Sequence, residues 1–271
     1  MKKITLTIMA SVATMTALQS VAVADTSWKG KVQTFNKGTH PKLAPTKLHY
    51  NFSWNGAVQA GQITFEFNKK DKRYPKYDVT QAFGRSTGLA YATFPYNFSF
   101  TSFTRTSSSK PALFMADEKD KREKVTTKNR FTSKGVTHSS DTFKFSNKKT
   151  EKKRHTFAFA NSHDPLSAVQ YIRRQPLKTG DKLKLALHPM ASPMYSEITV
   201  LGREKHMGRA CIKLDVKLNK IDLSTMKLKP YSKLKKATLW ISDDADRIMV
   251  ELRSKVFIGD IRMTLQSQKK L

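Results

Sequence analysis

The chain has 271 residues and carries 50 Lys+Arg against 21 Asp+Glu, a formal net charge of +29. That length suits one large domain or two small ones, and all-β chains of this size commonly fold as one unit. Cys211 stands alone, which excludes an internal disulfide framework. The positive field attracts polyanions over roughly a Debye length and weakens with salt.

The N-terminus reads as an address. Lys2 and Lys3 precede an apolar run from Ile4 to about Val21, and Ala22-Val23-Ala24 stand before Asp25. A basic head, an apolar middle and an Ala-x-Ala exit predict a secretory signal peptide over residues 1–24, cut after Ala24. The alternative is an uncleaved anchor, but the run is interrupted by several Thr and Ser. No Cys follows the cut, so no lipid anchor on the new N-terminus is expected. No later stretch is apolar enough for a membrane-spanning helix. The expectation is a periplasmic or secreted chain that is not an integral membrane protein.

The charge is uneven. Residues 25–104 hold 11 basic and 4 acidic side chains, residues 105–154 hold 15 and 6, and residues 155–271 hold 22 and 11. Excess charge is therefore densest in the middle segment. Lys far outnumbers Arg, which favours loose attraction over bidentate phosphate recognition. A lysine-rich surface that serves solubility is the alternative.

Residues 25–46 mix Gly, Pro, Lys and Thr without periodicity and read as an exposed leader, in which Trp28 is a candidate exposed aromatic. From Lys47 the period is two. Leu48, Tyr50, Phe52 and Trp54 alternate with polar residues, and Asn55-Gly56 marks a turn. Ile63, Phe65 and Phe67 continue the pattern, followed by Tyr96 with Phe98 and Phe100, Phe143 with Phe145, and Phe157 with Phe159. Later rows are Leu183-Leu185-Leu187, Ile212-Leu214-Val216-Leu218, Leu239-Ile241, Ile248-Val250-Leu252 and Ile261-Met263-Leu265. Residues two apart in a strand share a face, so each row turns toward a core. About ten to twelve such runs predict an all-β, mainly antiparallel fold over residues 47–268. The expected form is a curved meander sheet making a barrel or half-barrel. Two packed sheets of sandwich type are the alternative.

Two segments depart from the pattern. Residues 105–154 lack a clear period, and Ser107-Ser108-Ser109 and Lys148–Arg154 read as charged hairpin ends or loops. Asp164-Pro165 opens a run with apolar residues three apart. An Asp cap with Pro in the first turn predicts one short helix near 165–174, covering an opening of the sheet.

The search for chemistry finds little. The seven His are His40, His49, His138, His155, His163, His188 and His206, and no pair has the helical spacing of a zinc hydrolase. Gly84-Arg-Ser86-Thr-Gly88 reads as a loose turn, and a glycine-rich phosphate loop is absent. Asp243-Asp244-Ala-Asp246 could hold a hard cation but is explained by a hairpin turn. Cys211 reads as a buried, inert thiol, with an intermolecular thiol as the alternative. Trp54, before the turn, is a second candidate exposed aromatic. No catalytic, cofactor-binding or metal residue is assigned, and no ligand-binding residue is identifiable.

Three features together resemble the bacterial domain-of-unknown-function family numbered 3108. They are Tyr50-x-Phe52-x-Trp54 leading to Gly56 and Ala60-Gly61; Asp164-Pro-Leu-Ser167 through Tyr171 and Arg173 to Pro176 and Gly180-Asp181; and Trp240-Ile-Ser242-Asp243-Asp244 through Arg247 to Gly259 and Leu265. The resemblance covers about residues 47–268. In this chain Ile248 follows Arg247 where the family usually has Pro. The resemblance implies an exported, β-rich envelope domain with no catalytic residues to carry over. Its general look is similar to envelope lipid carriers with a curved sheet.

The leading functional expectation is a noncatalytic envelope protein binding an anionic lipid or glycan, or assisting envelope assembly, without specific nucleic-acid recognition. One alternative is a basic scaffold whose segment 105–154 docks an acidic protein. The other is an envelope-polymer hydrolase drawing on His163, Asp164, Asp243, Asp244 and Asp246.

Overall fold

A computed structural model describes residues 26–231, 236–255 and 259–271; the predicted signal peptide lies outside them. A short helix α1 (Trp28–Lys31) precedes a long meander. Its strands are β1 (Thr46–Trp54), β2 (Val58–Lys69), β3 (Tyr77–Ser86), β4 (Asn97–Arg105), β5 (Pro111–Lys119), β6 (Glu123–Thr132), β7 (Gly135–Lys144) and β8 (Lys149–Phe157), with helix α2 (Gly88–Thr93) between β3 and β4. Then come β9 (Ser162–His163) and helix α3 (Pro165–Arg173). The second half holds β10 (Lys182–Leu187), β11 (Met194–His206), β12 (Arg209–Ile221), β13 (Leu228–Pro230), β14 (Lys236–Ser242), β15 (Met249–Lys255) and β16 (Asp260–Lys270).

β16 returns to pair antiparallel with β1, which joins the halves into one sheet. The strand order is β8-β7-β6-β5-β4-β3-β2-β1-β16-β15-β14-β12-β11-β10-β9, with β13 beside β12. β8 and β9 are the two edges, so the sheet is open: a curved half-barrel and not two packed sheets. All pairs on this path are antiparallel except β9 with β10.

The curvature has local causes. Register shifts interrupt the ladder at His49/Tyr50, Phe52/Ser53, Val200/Gly202 and Trp240/Ile241, and an extra residue in one strand bends it and raises its twist. The three-residue β1–β2 connection has Asn55 at φ 50° and Gly56 at φ 74°, the positive angles of a primed turn, which the Ala57 amide closes on the Trp54 carbonyl at 3.1 Å. Most of the alternating rows face inward as expected; the row from Ile248 to Leu252 is broken by the β14–β15 register shift, which leaves Val250 packed on Trp240 and Cys211 apart from Leu252. Leu48 and Tyr50 are buried, and with Leu185, Ile198, Ile212 and Leu214 they form the core of the second half.

Three expectations need correction. The predicted exposed leader packs into the fold. Trp28 is 1% exposed, its indole Nε1 donates to the Met226 carbonyl at 2.8 Å, and its ring lies on Phe157, Phe159 and Tyr195. Trp28, Val32 and Leu43 supply apolar area that the concave face can bury, and this outweighs the lack of periodicity.

Ser107-Ser108-Ser109 do form the expected hairpin end between β4 and β5, but Lys149–Arg154 and most of the other residues in 105–154 are strand and not loop. They form β5 to β8, whose inward positions are polar as often as apolar: Thr127, Asn129, His138 and Ser140 are buried beside Phe114 and Phe131. Backbone pairing and buried hydrogen bonds hold these strands where an apolar row does not. Phe143 and Phe145, expected in the core, are exposed. Finally, the predicted helix is present as α3, and two shorter helices join it.

Candidate functional site

The inward rows do not meet. Between the concave face and α3 lies a cavity of about 410 Å³. Phe65 and Phe98 line it from the first half of the sheet, Leu187 and Val216 from the second, and Val169 and Ile172 of α3 form its roof. Among the described residues, Ser196 and Ser254 are the only polar side chains in its wall. A second cavity of about 350 Å³ lies under α2 and shares Ile63 and Phe98 with the first. An aromatic ladder connects the two. Ring centroids are 6.3 Å apart for Phe94–Tyr96, 5.9 Å for Tyr96–Phe98, 4.6 Å for Phe98–Phe100 and 5.9 Å for Phe100–Phe114. Gly84 makes room for it, since a Cβ there would stand 2.8 Å from the Phe98 ring. The Tyr96 hydroxyl donates to Glu118 at the rim, and burial pushes the phenol pKa up.

The helix that roofs the cavity is bolted at both ends. At its start, Asp164 Oδ1 accepts from the Leu166 and Ser167 amides at 2.9 and 3.0 Å. The Ser167 hydroxyl returns to the Asp164 amide, completing a capping box. Ser102 of β4 donates to Asp164 Oδ2 at 2.8 Å. At its end, Arg247 Nη1 donates to the carbonyls of Arg173 and Gln175, at 3.2 and 2.5 Å. This meets the orphan acceptors and negative dipole end of the helix with a cation. Arg173 is itself buried, and its guanidinium donates to the carbonyls of Asp246 and Pro41. Burial lowers its pKa to about 10.

The suspects for hydrolysis do not converge. His163 and Asp164 sit at the start of α3, a helix about 13 Å long by its rise, whereas the Asp246 carbonyl accepts from the guanidinium of Arg173, the last residue of that helix. His163 is buried between Phe35 and Tyr171, with both ring nitrogens lacking a hydrogen-bond partner, and burial takes its pKa to about 3. Asp164 is the helix cap, its pKa raised by burial. Asp243 pairs with Arg203, and Asp244 accepts from the Asp246 and Arg247 amides, so both shape the β14–β15 turn. Cys211 is fully buried, which raises the thiol pKa. Trp54, unlike Trp28, is exposed.

One cluster escaped the sequence. His138 and His155 oppose each other across β7 and β8, with ring centroids 4.5 Å apart, and His188 after β10 lies 5.8 and 5.6 Å from them. Asn129 bridges, its Oδ1 2.7 Å from His138 Nδ1 and its Nδ2 3.2 Å from His188 Nδ1. Burial lowers His138 to about 4 and His188 to about 3. Among the described residues no group of His, Cys, Asp or Glu is arranged to hold a metal. A hairpin centred on residues 145–148 would have revealed the His138–His155 pair; His188 arrives only through tertiary folding.

Comparison with known proteins gives the frame. Of solved structures, a β-barrel-like protein of domain of unknown function DUF1849 from Brucella abortus superposes with a TM-score of 0.53 at 10% identity, covering 85% of this chain and 99% of that one. An exported protein with a YmcC-like fold from Bacteroides fragilis gives 0.30 at 10% identity, over 87% and 100%. The Mycobacterium tuberculosis lipoprotein LppX gives 0.24 at 10% identity, over 84% and 88%. The first likeness supports the barrel-like fold alone. A search of curated proteins finds no match. Among the described residues no helix is long and apolar enough to cross a membrane. The model of the family described as "Protein of unknown function (DUF3108)" matches residues 48–266. Ser102, the Asp164–Arg173 helix and the turn from Trp240 to Arg247 fall within that span, whereas Pro41, which accepts from Arg173, precedes it. The chain belongs to the DUF3108 family.

Proposed function

We propose that this chain is an exported, noncatalytic binding protein of the cell envelope that seats a lipid acyl chain between its curved sheet and α3. The observation that carries the reading is the cavity of about 410 Å³, walled by apolar side chains with two hydroxyls as the only exceptions. Its size falls in the range of small-ligand sites, roughly 300–1,000 Å³. An acidic glycan would need convergent hydrogen-bond partners, which such walls lack, so the lipid arm of the expectation is favoured over the glycan arm. Export rests on the basic-apolar-Ala-x-Ala pattern of residues 1–24. The noncatalytic assignment draws support from the separation of His163 and Asp164 from Asp246.

The test is displacement of a fluorescent fatty acid from purified protein, with lipid analysis of an organic extract. Val169→Trp projects a large ring from α3 into the cavity. It is expected to weaken probe binding at least roughly tenfold, about 1.4 kcal/mol, while the urea midpoint is unchanged. Absence of probe binding by the unaltered protein, or equal binding by the variant, removes the reading.

A further inference from the structure

In an antiparallel meander successive turns alternate between the two ends of the sheet. The β1–β2, β3–β4, β5–β6 and β7–β8 connections of this protein therefore share one end. That end has an unusual composition. It carries Trp54 and Val58 beside the first turn, Leu89, Tyr91 and Phe94 in and after α2, and Phe143 and Phe145 at the last turn. These are seven of the thirteen large apolar side chains that stand exposed among the described residues; the opposite end of the same eight strands has Tyr74. No residue of α2 is buried, and Leu89, Tyr91 and Phe94 are 78%, 51% and 59% exposed. A soluble surface rarely gathers such side chains without a partner.

Cations interleave with them. The β5–β6 turn holds Lys119, Lys121 and Arg122, and the β7–β8 turn holds Lys144, Lys148 and Lys149, against Glu118, Asp120, Glu123 and Glu151, the last paired with Lys144. The turns are in contact. Lys119 lies over the Phe145 ring at 5.8 Å, and the Phe145 amide donates to the Arg122 carbonyl at 2.9 Å. Phe94 stacks on Tyr96, whose hydroxyl reaches Glu118 beside Lys119. The edge thus runs continuously from α2 to the last hairpin.

The cavity of about 350 Å³ opens under the same helix: Ala90, Thr93 and Phe94 line it together with Ala60. α2 is attached at its margins, where the Thr87 amide donates to Ala60 O and the Ser86 hydroxyl to Phe94 O. From this juxtaposition of exposed apolar groups, cations and the cavity mouth, we infer that this end of the half-barrel docks on a bilayer surface rich in anionic phospholipid. Leu89, Tyr91 and Phe94 enter the acyl boundary and the Lys and Arg of the two turns meet the headgroups. A ligand then passes between membrane and cavity beneath α2 without crossing water. The passage rests on the acyl-binding reading; the docking does not.

The experiment is co-sedimentation of the purified protein with vesicles of phosphatidylcholine alone or mixed with phosphatidylglycerol, at low and physiological salt. The unaltered protein is expected to partition onto the anionic vesicles and to lose affinity as salt rises. Replacing Leu89, Tyr91 and Phe94 together by Ser should cut partitioning at least roughly tenfold. Reversing Lys119, Lys121 and Arg122 to Glu should cut it roughly a hundredfold, with little change on neutral vesicles. Reversing Lys70, Lys72 and Arg73, in the β2–β3 turn at the far end, serves as the control of equal charge. Urea midpoints confirm that each variant is folded. No partitioning onto anionic vesicles overturns the inference, and so does a far-end control that loses as much as the reversal of Lys119, Lys121 and Arg122. Fatty-acid titration without vesicles is read in parallel. Docking without probe binding upholds this surface and removes the cavity reading, and the converse does the reverse.

Discussion

The Ser102 hydroxyl of β4 donates to Asp164 Oδ2 at 2.8 Å, so one side chain from the first half of the sheet holds the N-cap of the helix that roofs the concave face. Both residues are buried, and no water competes for the bond. Removing it leaves one carboxylate oxygen without its donor. Ser102→Ala is expected to cost about 1–2 kcal/mol in urea unfolding, and Asp164→Ala, which also loses both cap bonds, about 2 kcal/mol or more.

The far end of α3 makes a matching prediction. Arg247 reaches three carbonyls, those of Arg173, Gln175 and Pro176, from one planar fork. Arg247→Ala should destabilise by about 2 kcal/mol, and Arg247→Lys should recover only part of that, because an ammonium cannot address several acceptors in one plane. Urea midpoints of the two variants give the comparison.

Gly84 and Phe98 supply a packing test. A Cβ at Gly84 would stand 2.5 Å from the Gln62 carbonyl and 2.8 Å from the Phe98 ring, so both the β2 backbone and the ring must give. Gly84→Ala is expected to cost about 1–3 kcal/mol and to weaken fatty-acid binding, since Phe98 walls both cavities. Unchanged stability and binding would show that the sheet and the ring both relax around the added methyl.

The buried imidazoles set a pH dependence. His138 titrates near 4 and His163 and His188 near 3 in the folded protein, against the ordinary 6.5, mainly because burial penalises the charged ring. Between those values and 6.5 the unfolded chain binds more protons, so stability is greatest above 6.5 and falls as the pH drops. Each ring contributes up to about 1.4 kcal/mol per pH unit in that window. His155 works in the same direction, and Lys153 and Arg154 add repulsion at His138. Asp164 opposes them: burial raises its pKa, so above its ordinary 3.8 it favours unfolding as the pH rises. One carboxyl against several imidazoles leaves a net acid sensitivity. Unfolding midpoints at pH 7 and 5 should differ clearly, and less so in His188→Gln.

Cys211 should be silent. It is fully exposed only on unfolding, and its pKa is raised, so Ellman's reagent is expected to react after urea unfolding and not with the folded protein. Stoichiometric reaction in the native state would point to local opening of β12.

The apolar rows were legible in the primary structure. Leu48 and Tyr50, Leu183 and Leu185, and Ile212 and Leu214 alternate because a strand presents every second side chain to one face, and that relation is local. Asp164 and Pro165 likewise announce α3 through the first turn of its own backbone. Other features depended on distant partners. Trp28 is buried because Phe157, Tyr195 and Met226 receive it, and no short-range pattern records that. Phe143 and Phe145 alternate as well as any core row, yet Phe143 shares the face of Thr137 and Asp141, opposite the buried Val136, His138 and Ser140, and both rings stay wet. The histidine trio needs a hairpin register and a separate loop to arrive together. The cavity is the clearest case. Periodicity says which side chains face inward, whereas the bulges, the return of β16 to β1 and the mounting of α3 decide how far apart the opposing walls stand. Only tertiary structure could leave space between them.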